Sequence, residues 1–141
     1  MLTFKEMQDA LIEGFSSLSN WEKKVWGWAW HIHASDQTAV SFLITEKGFR
    51  CSRHSHRDRV NMFAVIAGKI AIQEWYDENL KETILLPGQV HVVRNKVDHR
   101  FRVLESGMVI EIYWVGARVS LDDIYRSDRG GIDEEADNEN S

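Results

Sequence analysis

Residues 48–68 read Gly48-Phe-Arg-Cys-Ser-Arg-His54-Ser-His56-Arg-Asp-Arg-Val-Asn61-Met-Phe-Ala-Val-Ile-Ala-Gly68. His54 and His56 are two apart. On a strand such residues project from the same face, so both imidazoles can reach one metal ion without bending the backbone. Further downstream comes Gly88-Gln-Val-His91-Val-Val-Arg94-Asn-Lys-Val-Asp98-His99-Arg-Phe101. A third imidazole from this separate strand would complete a facial set and leave coordination positions open for substrate or water.

The sequence on either side of these stretches is also β-like. Trp26, Trp28, Trp30 and Ile32 alternate with Val25, Gly27, Ala29 and His31, the two-residue period of a strand. Further strands are predicted at Thr38 to Thr45, Val60 to Ala67, Lys69 to Tyr76, Glu82 to Leu86, Gln89 to Arg94, His99 to Leu104 and Met108 to Val115. Gly48, Gly68, Pro87-Gly88 and Ser106-Gly107 separate them. Many short strands without intervening helices predict an antiparallel sandwich or barrel. Only the N-terminus departs from this pattern. Phe4, Met7, Leu11, Ile12, Phe15 and Leu18 follow helical spacing, and Thr3 with Glu6 offers a capping box ahead of that stripe. Residues 1–20 are thus expected to hold one amphipathic helix, 21–126 the β-barrel, and 127–141 an acidic, disordered tail. Leu121 to Tyr125 reads as a short helical turn or edge strand.

The chain has 141 residues, enough for one modest core. Seventeen Lys and Arg face 22 Asp and Glu, for a net charge of -5. Asp133, Glu134, Glu135, Asp137 and Glu139 crowd into the last nine residues, and without them the count is 17 against 17. A neutral body with no basic stripe lacks the electrostatic attraction that drives nucleic-acid binding. No stretch approaches the roughly 20 apolar residues of a membrane span. The first eighteen residues lack the continuous apolar segment of a secretory signal, and Cys51 alone forms no internal disulfide. These features together predict a cytoplasmic protein.

The two histidine stretches resemble the paired motifs of the cupin superfamily. Gly48, His54, His56 and Gly68 fall in register with the first motif, Gly88 and His99 with the second. The resemblance implies a jelly-roll barrel, the cupin double-stranded β-helix, here preceded by an α-helix. It also implies a divalent metal held by His54, His56 and His99. Asn61 stands where the family carries a metal-binding Glu, and Arg94 and Lys96 replace a Pro and a Gly. An amide oxygen brings no negative charge, so three neutral imidazoles with Asn61 favour zinc, nickel or iron over manganese. Asp58 shares the strand parity of the two histidines and ranks below Asn61 as the fourth ligand.

A narrower resemblance runs through Trp26-Gly27-Trp28, His56-Arg57-x-Arg59, Gly68, His99-Arg100 and Asp122-Asp123-Ile124-x-Arg126. In this order the residues are similar to the cupin domain of bacterial type II mannose-6-phosphate isomerases. His54, Asn61, Met62 and Phe63 replace that family's Gln, Glu, His and Trp. The likeness implies a sugar-phosphate isomerase-like protein acting on or binding a small anionic carbohydrate, with Arg57, Arg59, Arg94 and Arg100 clamping the phosphate. The general base is unassigned; Asp98, Glu74 and Glu111 are the available carboxylates. A non-catalytic sugar-binding cupin and an iron-dependent cupin oxygenase are the alternatives. His31 and His33 form a second pair without a glycine framework and are expected to be structural or at the surface, and His91 to lie outside the metal set. The tryptophans are expected in the core or an interface, and Cys51 in a small buried place. The N-terminal helix and the Trp-rich strand are the candidate contacts of a homodimer.

Overall fold

A computed structural model of the chain describes residues 1–15, 21–115 and 122–136. Helix α1 (Phe4–Phe15) opens the chain, followed by strands β1 (Trp21–Lys24), β2 (Gly27–Ala34), β3 (Thr38–Thr45), β4 (Phe49–Arg50), β5 (His54–Ser55), β6 (Val60–Tyr76), β7 (Asn79–Leu85), β8 (Val90–Val93), β9 (Asp98–Trp114), β10 (Tyr125–Arg126) and β11 (Gly131–Ile132). The expected capping box is formed. The Glu6 amide donates to Thr3 Oγ1 (3.1 Å) and the Thr3 amide to Glu6 Oε2 (2.7 Å), satisfying two groups at the helix start. Met7 is the buried anchor of α1, which touches β3 and β9. Leu18 of the predicted stripe lies outside the described residues, as do the side chains of Leu11, Ile12 and Phe15.

Every strand pairing is antiparallel, and β6 and β9 form the spine of one continuous sheet. The ladder runs β1-β2-β3-β9, and β9 also pairs with β4, β5 and β6. The sheet curls into an all-β jelly-roll whose inner face holds Ala29, Leu43, Phe63, Val65, Ile70, Ile72, Phe101, Val103 and Val109.

The sequence divides β6 at Gly68 and β9 at Ser106-Gly107, yet both run through. Their register shifts between Val65 and Ile70, opposite Val103 to Val109, so each strand bends there without ending. Two glycines make the crossing feasible. A Cβ on Gly68 would lie 2.7 Å from Glu105 O and Gly107 Cα, and one on Gly107 would overlap the carbonyl of Ala67. Gly68 also has φ +84°, a conformation that side-chain-bearing residues adopt at a cost. The bend curls the sheet and turns the N-terminal half of β9 toward β4 and β5.

The tryptophans do not share one face. Trp26 sits in the turn before β2 and enters the core, its ring 5.1 Å from that of Phe101. Trp28 and Trp30 lie on the opposite side of β2 from Ala29, His31 and His33, against Trp21 of β1. The turn at residues 25–26 resets the parity that the sequence pattern carries through unbroken.

The acidic C-terminus is also not a free tail through residue 136. β10 pairs with β5, and β11 pairs with β4. Asp133 is buried against Arg102 (2.8 Å), itself 1% exposed. Asp128 reaches Arg50 and Arg100, and Glu135 reaches Arg102. A charge count over the whole body conceals the reason: Arg50, Arg100 and Arg102 cluster on one side of β4 and β9, and the C-terminal acids neutralise them. Leu121 and residues 137–141 lie outside the described residues; Tyr125 belongs to an edge strand.

Candidate metal centre and cavity

His54 and His99 are register partners across β5 and β9, so their side chains stand on the same face of the sheet. His56 lies just past the end of β5 rather than within it. The three rings pack with centroids 4.6 to 5.3 Å apart, and their ligand atoms lie within 4.8 Å of one another. His54, His56 and His99 are all buried.

Each ring is oriented by the same device. Nδ1–H donates to a backbone carbonyl: that of Ser52 for His54 (2.6 Å), of Asp123 for His56, and of Val97 for His99 (2.8 Å). A neutral imidazole that donates from Nδ1 presents a lone pair at Nε2. Nε2 of His56 and of His99 is buried and has no hydrogen-bond partner. Orphaned buried acceptors of this kind cost about 1–3 kcal/mol each, so something other than folding accounts for them.

The rings are also held neutral. Burial, then the neighbouring imidazoles His99 and His56, depress His54 to about 2. Burial, then Arg59, depresses His56 to about 3. Burial lowers His99 as well. Three neutral imidazoles with fixed tautomers and convergent lone pairs fit a divalent cation, and the carbonyls behind them are the outer partners such ligands require.

Asn61 is buried on the inward face of β6, two residues from Phe63, whose ring lies 6.5 Å from that of His99. Its Nδ2 donates to Glu111 Oε2 (3.2 Å), while its Oδ1 is buried without a partner, the one amide atom able to serve as a ligand. Asp58 is exposed and pairs with Arg57, so it is no substitute. Lys96 adopts φ +67° where the cupin pattern carries Gly, and its amide donates to His56 O (2.6 Å). The backbone shape of the second motif is thus kept without its glycine.

A cavity of about 750 Å³ reaches the histidine cluster at His54, the one member of the set on its lining. Phe63, Phe101, Glu111 and Tyr113 line it with His54, as do His31, Ser41, Glu22 and Lys24. Of the four arginines expected to hold a phosphate, only Arg59 reaches it, stacked 4.0 Å over the Tyr113 ring. Arg57 and Arg94 are exposed, and Arg100 is on the opposite face of β9 from His99, bonded to Gln73 and Asp128. For Arg100 strand parity is the reason: a residue adjacent to an inward histidine on a strand points outward. Arg126 and Arg129, from the C-terminal segment, line the cavity in their place. Arg126 was visible in the sequence only as part of a motif, and Arg129 carried no signal because the fold-back of its segment has no periodicity.

Of the three carboxylates left open by the sequence, Glu111 faces the cavity. Burial raises its carboxyl above the ordinary range, opposed by the Tyr113 hydroxyl that donates to Oε1 (2.5 Å). Asp98 is spent on Arg53 (2.6 Å). Glu74 holds His91 (2.6 Å) and the Tyr76 hydroxyl (2.7 Å), which also places His91 outside the histidine set. His31 is no mere surface residue: it lines the cavity and bridges Ser41 Oγ (2.9 Å) and Glu22 Oε2 (3.0 Å). Cys51 is buried as expected, its thiol pushed up to about 12 by burial.

No protein-family model matches the sequence, and no curated protein sequence matches it. Solved structures do. The capsular polysaccharide assembling protein CapF of Staphylococcus aureus aligns with a TM-score of 0.62 at 20% identity, over 75% of this chain and 33% of its own. Oxalate decarboxylase of Bacillus subtilis aligns with a TM-score of 0.68 at 14% identity, over 79% of this chain and 30% of its own. A further structure of that enzyme, at 12% identity and a TM-score of 0.66, is described by its Mn(II) centres. The chain therefore spans about a third of the length of these neighbours. No helix among the described residues is long and apolar enough to cross a membrane. The paired histidine motifs, the curled antiparallel sheet and these neighbours agree on one architecture: the chain has the cupin fold.

Proposed function

We propose that the chain is a metal-binding cupin that takes a small anionic carbohydrate into its cavity and acts on it as a sugar-phosphate isomerase does. The observation that carries this reading is the set of three buried imidazoles, each oriented through Nδ1, with ligand atoms within 4.8 Å of one another and His54 on the lining of a cavity large enough for a sugar. His54, His56 and His99 would hold the ion, with Asn61 Oδ1 as the available fourth donor. Three neutral donors favour zinc, nickel or ferrous iron. When bound, such an ion supplies Lewis-acid polarisation of a carbonyl or hydroxyl oxygen.

The chain's own residues supply the rest. Arg59, Arg126 and Arg129 give the cavity the positive charge that an anionic group needs. Glu111 is the carboxylate that position 61 lacks. Held above the ordinary carboxyl range by burial, it has a proton affinity suited to taking a proton from a hydroxyl-bearing carbon and returning it to the neighbouring carbon. Tyr113 keeps that carboxylate oriented through its hydroxyl.

Titration of metal-stripped protein with zinc, nickel, ferrous iron and manganese, beside His56→Ala, tests the metal. Wild type should bind at least one ion at least tenfold more tightly than the variant; equal affinities overturn the reading. Mannose 6-phosphate with the loaded protein tests the substrate. Binding that Arg59→Met weakens and turnover that Glu111→Gln abolishes are expected. Binding without turnover leaves a sugar-binding cupin and removes the isomerase.

A further inference from the structure

The segment 122–136 runs from the lining of the cavity to the outer face of the barrel, and it touches two of the three histidines. Arg126 is the backbone partner of His54, and Tyr125 that of Ser55. The carbonyl of Asp123 receives the Nδ1–H of His56. The Asp123 side chain explains how that carbonyl is held. It is 7% exposed and accepts two amide hydrogen bonds, Oδ1 from Arg57 N (2.7 Å) and Oδ2 from Asp58 N (2.8 Å). Those amides belong to the two residues directly after His56. One residue thereby grips His56 twice, through its ring and through the turn that follows it. The same segment then lines the cavity with Ile124, Arg126, Arg129 and Gly130.

We propose that Asp123 is a positioning residue for the histidine site, and that docking of the C-terminal strap and occupancy of the site by a divalent cation are coupled through it. This inference rests on the metal-binding reading above. With the carboxylate clamp in place, the Asp123 carbonyl fixes the His56 ring with Nε2 toward His54 and His99. Without it, the carbonyl and the turn at residues 57–58 lose their common anchor, and the ring gains orientations that present no lone pair to the ion. Coupling of two binding equilibria is reciprocal, so an ion that needs His56 in place also strengthens the strap's attachment. The Asp-Asp-Ile-x-Arg run, whose purpose the sequence alone does not explain, acquires one here: it ties the cavity lining at Ile124 and Arg126 to His56 and the turn after it.

The test uses the full chain and cobalt(II) alone. Asp123→Ala should weaken cobalt binding by about 10–100-fold, the range for removing an outer partner of a metal ligand. Its cobalt absorption spectrum should shift toward that of His56→Gln, Asp123→Asn should fall between wild type and Asp123→Ala, and Glu134→Gln, on the exposed side of the strap, should match wild type. Cobalt should slow hydrogen exchange at the Arg57 and Asp58 amides in wild type but not in Asp123→Ala. Because Asp123→Ala changes the fold's own stability, the exchange data on wild type provide an independent arm. Unchanged affinity and spectrum in both Asp123 variants, or exchange at residues 57–58 indifferent to cobalt, overturns the coupling while leaving metal binding intact. Failure of wild type to bind cobalt overturns both.

Discussion

Asn61, which stands where the cupin motif carries Glu, is bonded to the buried Glu111. The amide donates to the carboxylate, so Asn61 partly stabilises the charge that burial opposes. Asn61→Glu would place a second carboxyl against the first in a buried setting, where two negative charges disfavour each other's ionisation. In metal-free protein the variant should lose on the order of 1–3 kcal/mol, in keeping with an uncompensated buried polar group. The loss should have a pH signature. An acid whose folded pKa is raised keeps its proton in the fold after the unfolded chain has released it. Stability is therefore full below the ordinary carboxyl range and falls as pH rises toward the raised value. Urea unfolding of metal-free Asn61→Glu should show a steeper decline than wild type as pH rises above the ordinary carboxyl range. A divalent ion would offset the added charge, so zinc should raise the variant's melting temperature by more than it raises wild type's. A smaller shift in the variant would show that position 61 does not face the ion.

At the scale of elements, the crossing of β6 and β9 sets the bend in the barrel, and two glycines permit it. Gly107→Ala places a methyl group on the backbone of Ala67, which neither strand can relieve without losing its register. The expected cost is about 3 kcal/mol or more, in the class of severe overpacking, read as a lowered urea midpoint. Gly131→Ala, where a Cβ meets nothing, should stay within about 0.5 kcal/mol of wild type. Equal effects would mean that the crossing is looser than its geometry indicates. The same crossing marks how far the elements were legible. The stretch Thr38–Thr45, predicted as a strand, has the bounds of β3, one face of which packs inward along its whole length. The strand-forming stretches of β6 and β9 were equally visible, but Gly68 and Gly107 read as turns. A glycine at a bulge and a glycine at a turn carry the same local signal, and only the partner strand distinguishes them. Two-residue strands such as β4, β5, β10 and β11 have no period to read. His54 and His56 were legible as a pair two residues apart and His99 through the second motif, although His56 lies beyond its strand, whereas Arg126 and Arg129 reach the cavity through a fold-back that no local pattern encodes.

Across the whole molecule, charge that reads as a solvated tail works as a clasp. Arg102 is 1% exposed and outward-facing on β9, and it meets Asp133, Glu82 and Glu135. A guanidinium so deeply buried requires compensation, because removing one partner of a buried pair leaves an uncompensated charge and costs about 3–5 kcal/mol. The two remaining acids are more exposed than Asp133, at 34% and 57% against 2%, and solvent screening leaves them less able to compensate. Asp133→Ala should therefore destabilise the chain toward that range, and Glu134→Ala by no more than about 0.5 kcal/mol, although the two differ by one position and carry the same formal charge. Arg102→Met in the Asp133→Ala background should recover part of the loss, since it removes the stranded charge and keeps the apolar volume. Chemical unfolding of wild type, Asp133→Ala, Arg102→Met and the double variant gives the coupling energy directly. If Asp133→Ala and Glu134→Ala were equally mild, the C-terminal acids would act only through their summed charge. If only Asp133→Ala were severe and Arg102→Met relieved it, the segment would be an integral wall of the barrel. The arginines it brings to the cavity would then be as fixed as those on the strands.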